Sequence, residues 1–129
     1  MPVLLDSTVL IDFLRGRPVI DRVDALAQAG EPIFVSSIGV EEVVRGLRSG
    51  EEEAARMLFG GLRVLPVRSD EGWQAGTWRA ALAATGVTLS QADCLVAATA
   101  HLAGARLATG NPAHFPMPEL EVEHWPVGR

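Results

Sequence analysis

Pro2-Val3-Leu4-Leu5-Asp6-Ser7-Thr8-Val9-Leu10-Ile11 changes character at its middle. Val3 to Leu5 is a short apolar run that reads as a buried strand, and a helix follows from about Thr8 to Arg15, ended by Gly16-Arg17-Pro18. An aspartate stands at the junction. A strand that passes straight into a helix is the first half of a strand-helix-strand unit, so the rest of the chain decides whether the unit repeats.

It does repeat. A helix from about Val19 to Ala29 carries Ile20, Val23, Leu26 and Ala27 at helical spacing, with Gly30 beyond its end. Ile33-Phe34-Val35 is the second strand, after which Ser36 and Ser37 can cap a helix bearing Val40, Val43, Val44 and Leu47. Gly50 breaks that helix, and Glu51 to Phe59 forms another that ends at Gly60-Gly61. Arg63 to Val67 is the third strand, Ser69 or Asp70 caps a long helix to about Thr85, and Ser90 caps the next to about Ala103. Arg106-Leu107-Ala108-Thr109 is the fourth strand, and Glu121-Val122-Glu123 alternates as an edge strand would. Strands recurring with helices between them imply parallel pairing, because each crossover helix covers a sheet face. The expected architecture is α/β: a three-layer sandwich with a central, mostly parallel sheet.

A length of 129 residues and 13.7 kDa is that of a single domain spanning 1–129. Hydrophobic content of 48% against 21% charged residues is ordinary for a folded globule. Cys94 is the single cysteine, which excludes an internal disulfide and fits a reduced, cytoplasmic setting. The chain opens without the basic flank and apolar stretch of a signal peptide, and its apolar runs are too short to span a membrane, so a soluble cytoplasmic protein without a membrane partner is expected. All eleven basic residues are arginine, and the formal charge is −5. A net negative surface argues against a basic nucleic-acid footprint unless bound cations place positive charge at the site itself.

In parallel sheets function gathers at the carboxyl ends of the strands. Asp6, the Ser36-Ser37 turn and Thr109-Gly110-Asn111 all lie there. Asp6 can cap the helix it opens, although Ser7 and Thr8 are competent caps as well. Glu42 follows Glu41 early in a helix, where a solvated face is the plain reading; Gly46, one turn on, has the cost of a helical glycine and so points to a steric requirement near Glu42. Asp93 lies three residues after Ser90, close to a capping box, yet it leads the nearly all-apolar run Cys94 to Ala100, where a carboxylate needs a partner. Asn111 before Pro112 is the arrangement of a cap and first-turn proline, and its amide can also orient a metal-bound water. His101, His114 and His124 show no zinc-ligand spacing. Carboxylate-type ligands without thiolates or paired histidines select a hard cation, Mg²⁺ or Mn²⁺. Two such ions about 3.5–4 Å apart activate a water and stabilise the leaving oxygen of a phosphoryl displacement.

Four segments carry a resemblance: Leu5-Asp6-Ser7-Thr8-Val9-Leu10-Ile11-Asp12, Val35-Ser36-Ser37-Ile38-Gly39-Val40-Glu41-Glu42-Val43-Val44-Arg45-Gly46, Ser90-Gln91-Ala92-Asp93-Cys94-Leu95-Val96-Ala97-Ala98-Thr99-Ala100, and Leu107-Ala108-Thr109-Gly110-Asn111-Pro112-Ala113-His114-Phe115. In this order they resemble the PIN-domain ribonucleases, and among them the VapC-like toxins of bacterial toxin-antitoxin pairs. The resemblance implies a PIN-like nuclease domain in which Asp6, Glu42 and Asp93 bind the metal and, with Asn111, form the catalytic set. Where the family often has a fourth acid, this chain has Asn111 and His114. It also implies an endoribonuclease that acts on tRNA or rRNA, a homodimer, and silencing by a VapB-like antitoxin laid across the active-site groove. Arg15, Arg17, Arg45 and Arg48 lie near these segments as candidate phosphate contacts.

A haloacid-dehalogenase-like phosphatase also has an aspartate after its first strand, but it needs a second acid where Thr8 stands. The alternative from another class is a PIN-like module that binds RNA or a protein with little catalysis, against which all three principal acids argue.

Overall fold

A computed structural model of the chain describes residues 1–128. The elements run β1 (Val3–Leu5), α1 (Ser7–Leu14), α2 (Val19–Gln28), β2 (Ile33–Ser36), α3 (Ser37–Arg45), α4 (Glu52–Gly60), β3 (Arg63–Leu65), α5 (Ser69–Ala83), α6 (Gln91–Leu102), β4 (Arg106–Thr109), a short 3-10 turn (Pro112–His114) and β5 (Val122–His124). The expected third strand stops two residues early. Pro66 has no N–H to give to a ladder and fixes its own φ, so pairing ends at Leu65.

The five strands form one sheet in the order β3-β2-β1-β4-β5, and every neighbouring pair is parallel. β1 is central, with Leu4 beside both Phe34 and Leu107. From β1 the chain builds outward through β2 and β3, then crosses to the other side for β4 and β5. The reversal of winding direction falls between β1 and β4, and this is where an open parallel sheet leaves a crevice above its strand ends.

Alternation along the strands separates two cores. Leu4, Phe34 and Leu107 face α5 and α6, joining Trp78, Cys94, Ala97 and Phe115. Val3, Leu5, Val35 and Ala108 face the opposite side, with Val9 and Leu10 of α1, Val23 of α2, Val43 of α3 and Leu58 of α4. The sheet is thus covered on both faces, which is why its central strands are apolar throughout rather than alternating. Beyond β5, Trp125 is buried to 1% exposure and its N–H donates to the Thr109 carbonyl (2.9 Å), continuing the ladder. The Arg22 guanidinium lies 4.3 Å from the centre of its ring. Among the described residues no helix is long and apolar enough to cross a membrane.

Candidate active site

Asp6 is the first residue after β1 and the residue from which α1 starts, with extended backbone (φ −69°, ψ 159°). Its side chain makes no capping hydrogen bond. The carboxylate instead receives two hydroxyls: Thr109 Oγ1–H donates to Oδ2 at 2.8 Å and Thr8 Oγ1–H donates to the same oxygen at 3.0 Å. Each hydroxyl is itself an acceptor. Thr8 Oγ1 receives the Gly110 N–H and Thr109 Oγ1 receives the Asn111 N–H, both at 3.0 Å. With their lone pairs engaged from behind, both hydroxyl protons are directed at Asp6. The Asp6 N–H is held by the Ala108 carbonyl (2.9 Å), so β4 fixes both ends of this residue.

Asp6 is only 6% exposed. Burial pushes its carboxyl above the ordinary value of 3.8; the Thr109 and Thr8 hydroxyls and the Ser7 N–H work against that, and the charge of Asp93 adds to it. Glu42 is half-buried on α3 and is likewise raised above 4.5, first by burial and then by the charge of Asp6, with Asp93 contributing, while the Ser7 hydroxyl and Arg45 oppose the shift. α3 begins where it does because Ser36, fully buried at the end of β2, accepts the Ile38 N–H at 3.0 Å. Asp93 lies in the first turn of α6, where its N–H is received by Ser90 Oγ (3.0 Å). Its carboxylate is 26% exposed, and Oδ2 is 3.6 Å from His114 Nδ1.

The three acids therefore face one crevice and repel one another across it. Asn111 is exposed and its side chain makes no capping hydrogen bond, so only Pro112 fills the role expected of a cap and first-turn proline pair. Gly46 needs a correction. It is the residue that closes α3 rather than a glycine within it, and a Cβ there would make only ordinary contact with the Glu42 and Val43 carbonyls (3.6 and 3.8 Å). Glycine at that position gives no sign of space kept for a ligand. His101 packs against the Trp78 ring (5.4 Å between centroids) and His124 is exposed on β5, so neither joins the acids.

Three of the four candidate arginines are engaged by carboxylates: Arg15 with Glu51 (3.6 Å), Arg17 with Asp12 (3.7 Å) and Arg45 with Glu41 (2.8 Å). Arg48 instead lines a cavity of about 810 Å³ with Val40, Val44, Leu47, Arg56 and Phe59. A second concavity of about 420 Å³, walled by Phe13, Leu14, Val23, Met57 and Leu62, also lies away from the acids.

The donor set suits a hard divalent cation. All its charged members are carboxylates, and those of Asp6 and Glu42 are raised first by burial and further by the charges of the other acids. Among the described residues no three acidic, histidine or cysteine side chains stand close enough to grip one ion as placed. Magnesium is commonly bound through one or two protein carboxylates and completes its shell with water and substrate phosphate. Thr8 and Thr109, which hold Asp6, were absent from the expected set. The available signal was a threonine at the end of β4 and another in the first turn of α1, two residues after Asp6.

Residues 3–116 match the family described as PIN domain. Ribonuclease VapC10 of Mycobacterium tuberculosis is 34% identical over 117 residues, covering 89% of this chain and 86% of the relative. The fold is shared with VapBC2 from Rickettsia felis, solved bound to a DNA fragment from its promoter, at a TM-score of 0.85 and 23% identity over 97% of this chain and 99% of that one. A toxin-antitoxin complex from Klebsiella pneumoniae aligns with a TM-score of 0.71 and 25% identity over 92% and 94% of the two chains.

Proposed function

The chain belongs to the PIN-domain family, and from that premise we propose that it is a metal-dependent endoribonuclease, the toxin of a VapBC-like pair, hydrolysing RNA phosphodiester bonds. The observation that carries the reading is Asp6, buried at the end of the central strand with two hydroxyls on Oδ2, facing the charges of Glu42 and Asp93. A structural cap would accept an N–H from the second or third residue of its helix. Asp6 makes no such bond.

Asp6, Glu42 and Asp93 would hold Mg²⁺, or Mn²⁺ in its place. Bound there, the ion supplies a lowered pKa for a water and positive charge against the phosphate. Thr8 and Thr109 fix Asp6 and oppose the upward push of burial on its carboxyl, because hydrogen bonds to the charged form favour it. Glu42 and Asp93 bring further negative charge from opposite walls, so the crevice attracts a polyanion only when cations are present. Asn111 would orient a water through its amide, and His114 lies 3.6 Å from Asp93.

RNA of the transfer or ribosomal class, a VapB-like antitoxin and a second copy of the chain are the proposed partners. The ribonuclease relative supports the first and the Klebsiella complex supports the second. Asp6→Asn, Glu42→Gln and Asp93→Asn should each lower RNA cleavage at least about a hundredfold, the range in which charge stabilisation at a reacting phosphate operates. Their circular dichroism should match the parent. Cleavage should also stop in excess chelator and return with Mg²⁺ or Mn²⁺. Full activity in chelator would remove the metal from the reaction, and parental rates in the three variants would remove the acids.

A further inference from the structure

Asp12 is an acid that the proposed reaction does not use, and it is buried to 6% exposure on α1. A carboxylate taken out of water needs partners. One of its partners comes from the far end of the described chain: the Gly128 N–H donates to Oδ2 at 2.9 Å, while Arg17 Nε lies 3.7 Å from Oδ1. Gly128 reaches it through a left-handed turn (φ +84°) that other residues rarely adopt. At its other end the same segment is anchored by Trp125, whose N–H donates to the Thr109 carbonyl. Between the two anchors Val127 lies on Gly110. A Cβ at Gly110 would come within 2.5 Å of Val127 Cγ2 and 2.9 Å of Cγ1, so the absence of a side chain there is what lets the segment pass.

Gly110 lies in the middle of the site's hydrogen-bond frame. Its N–H bonds Thr8, and it joins Thr109, which bonds Asp6, to Asn111. We infer that Asp12 is a positioning residue that latches Trp125–Gly128 over Gly110, and that this latch holds Thr109 to Asn111 against Asp6. The loop is then clamped from the inside by two hydroxyls and from the outside by Val127. Its effect on ion binding rests on the metal reading above; its effect on the loop does not.

The test uses the full-length protein with Asp12→Ala, Asp12→Asn and Val127→Gly, and Leu58→Ala as a destabilised control in α4. In ion-free protein, amide hydrogen exchange at Gly110 and Asn111 should quicken about tenfold in Asp12→Ala and Val127→Gly, beyond any change at the buried amide of Leu107. Asp12→Asn keeps an oxygen for the Gly128 N–H and should stay near the parental rate. Leu58→Ala should move all three amides together. In parallel, Mn²⁺ titration should give a dissociation constant about tenfold weaker in Asp12→Ala and unchanged in Leu58→Ala. Parental exchange at Gly110 and Asn111 in both latch variants, or acceleration that only follows Leu107, overturns the latch. A parent that binds no Mn²⁺ overturns the metal reading instead, and the exchange rates still decide the latch.

Discussion

Asp6 shows how one residue can look like a cap and act as something else. It has the extended backbone of a residue preceding a helix, and its carbonyl accepts from Val9 and Leu10, but its carboxylate caps no helical N–H and instead takes the hydroxyls of Thr8 in α1 and Thr109 in β4. The consequence is thermodynamic. With Asp6 raised above 3.8 and Glu42 above 4.5, the ion-free folded chain keeps protons that the unfolded chain releases. Stability from these two groups therefore falls as pH climbs from the ordinary carboxylate range through the raised folded values, and the whole penalty stands above that window. Asp6→Asn retains an oxygen for the Thr8 and Thr109 hydroxyls and deletes the buried charge. In chelator at neutral pH its Tm should exceed the parent's, and the difference should shrink as the buffer is taken down toward about pH 4, below which the parent's carboxyl is protonated as well. Thermal unfolding across that range checks it. An ion-free variant less stable than the parent at neutral pH would mean that the hydroxyls outweigh burial and repulsion. The sequence exposed Asp6, Glu42 and Asp93 through their places in strand and helix patterns. It did not expose Thr109 as the support of Asp6, because that role exists only once β4 lies beside β1, a neighbour relation about a hundred residues apart.

At the scale of elements, local signals were enough wherever a residue type has one mechanical use. β1 and β4 begin and end as read, and Ser36 and Ser90 cap the helices they precede. Where one residue type has two uses, the reading failed. A glycine within a helix points to a ligand to accommodate, but Gly46 ends its helix, with a φ of −95° that other residues also adopt. The Ser36 cap is relevant to chemistry as well as to α3, because the first turns of that helix set where Glu42 stands. Ser36→Ala removes the acceptor for the Ile38 N–H in a place with no exposure to water, so about 1–2 kcal/mol of stability should be lost. Denaturant unfolding should show a lower midpoint with an unchanged slope. RNA cleavage should also fall more than the loss of folded protein explains. Unaltered cleavage per folded molecule would show that Glu42 is positioned by packing of Val43 alone.

For the whole molecule, strand order was the part the sequence withheld. Val3-Leu4-Leu5, Ile33-Phe34-Val35 and Leu107-Ala108 are apolar on both faces, so alternation cannot say which strand is central, and parallel crossovers leave no hairpin turn to mark neighbours. The order β3-β2-β1-β4-β5 nevertheless decides the site, since the reversal between β1 and β4 brings Asp6 to Thr109 and opens the crevice toward Glu42 and Asp93. In a chain of net charge −5 this concentrates like charges in one place, a cost to the folded state that the unfolded chain avoids. A divalent cation at the crevice binds the folded state and relieves the repulsion, so it must stabilise by linkage: at a hundredfold excess over its dissociation constant the gain is about 2.7 kcal/mol. The Tm of the parent should thus rise with Mg²⁺ or Mn²⁺ along a saturating curve, beyond the effect of NaCl at equal ionic strength. A variant carrying Asp6→Asn, Glu42→Gln and Asp93→Asn together should begin from a higher ion-free Tm and respond to the divalent ion no more than to NaCl. An equal, saturating response in that variant would place the stabilising ion elsewhere on the molecule and leave the three acids without the role their convergence implies.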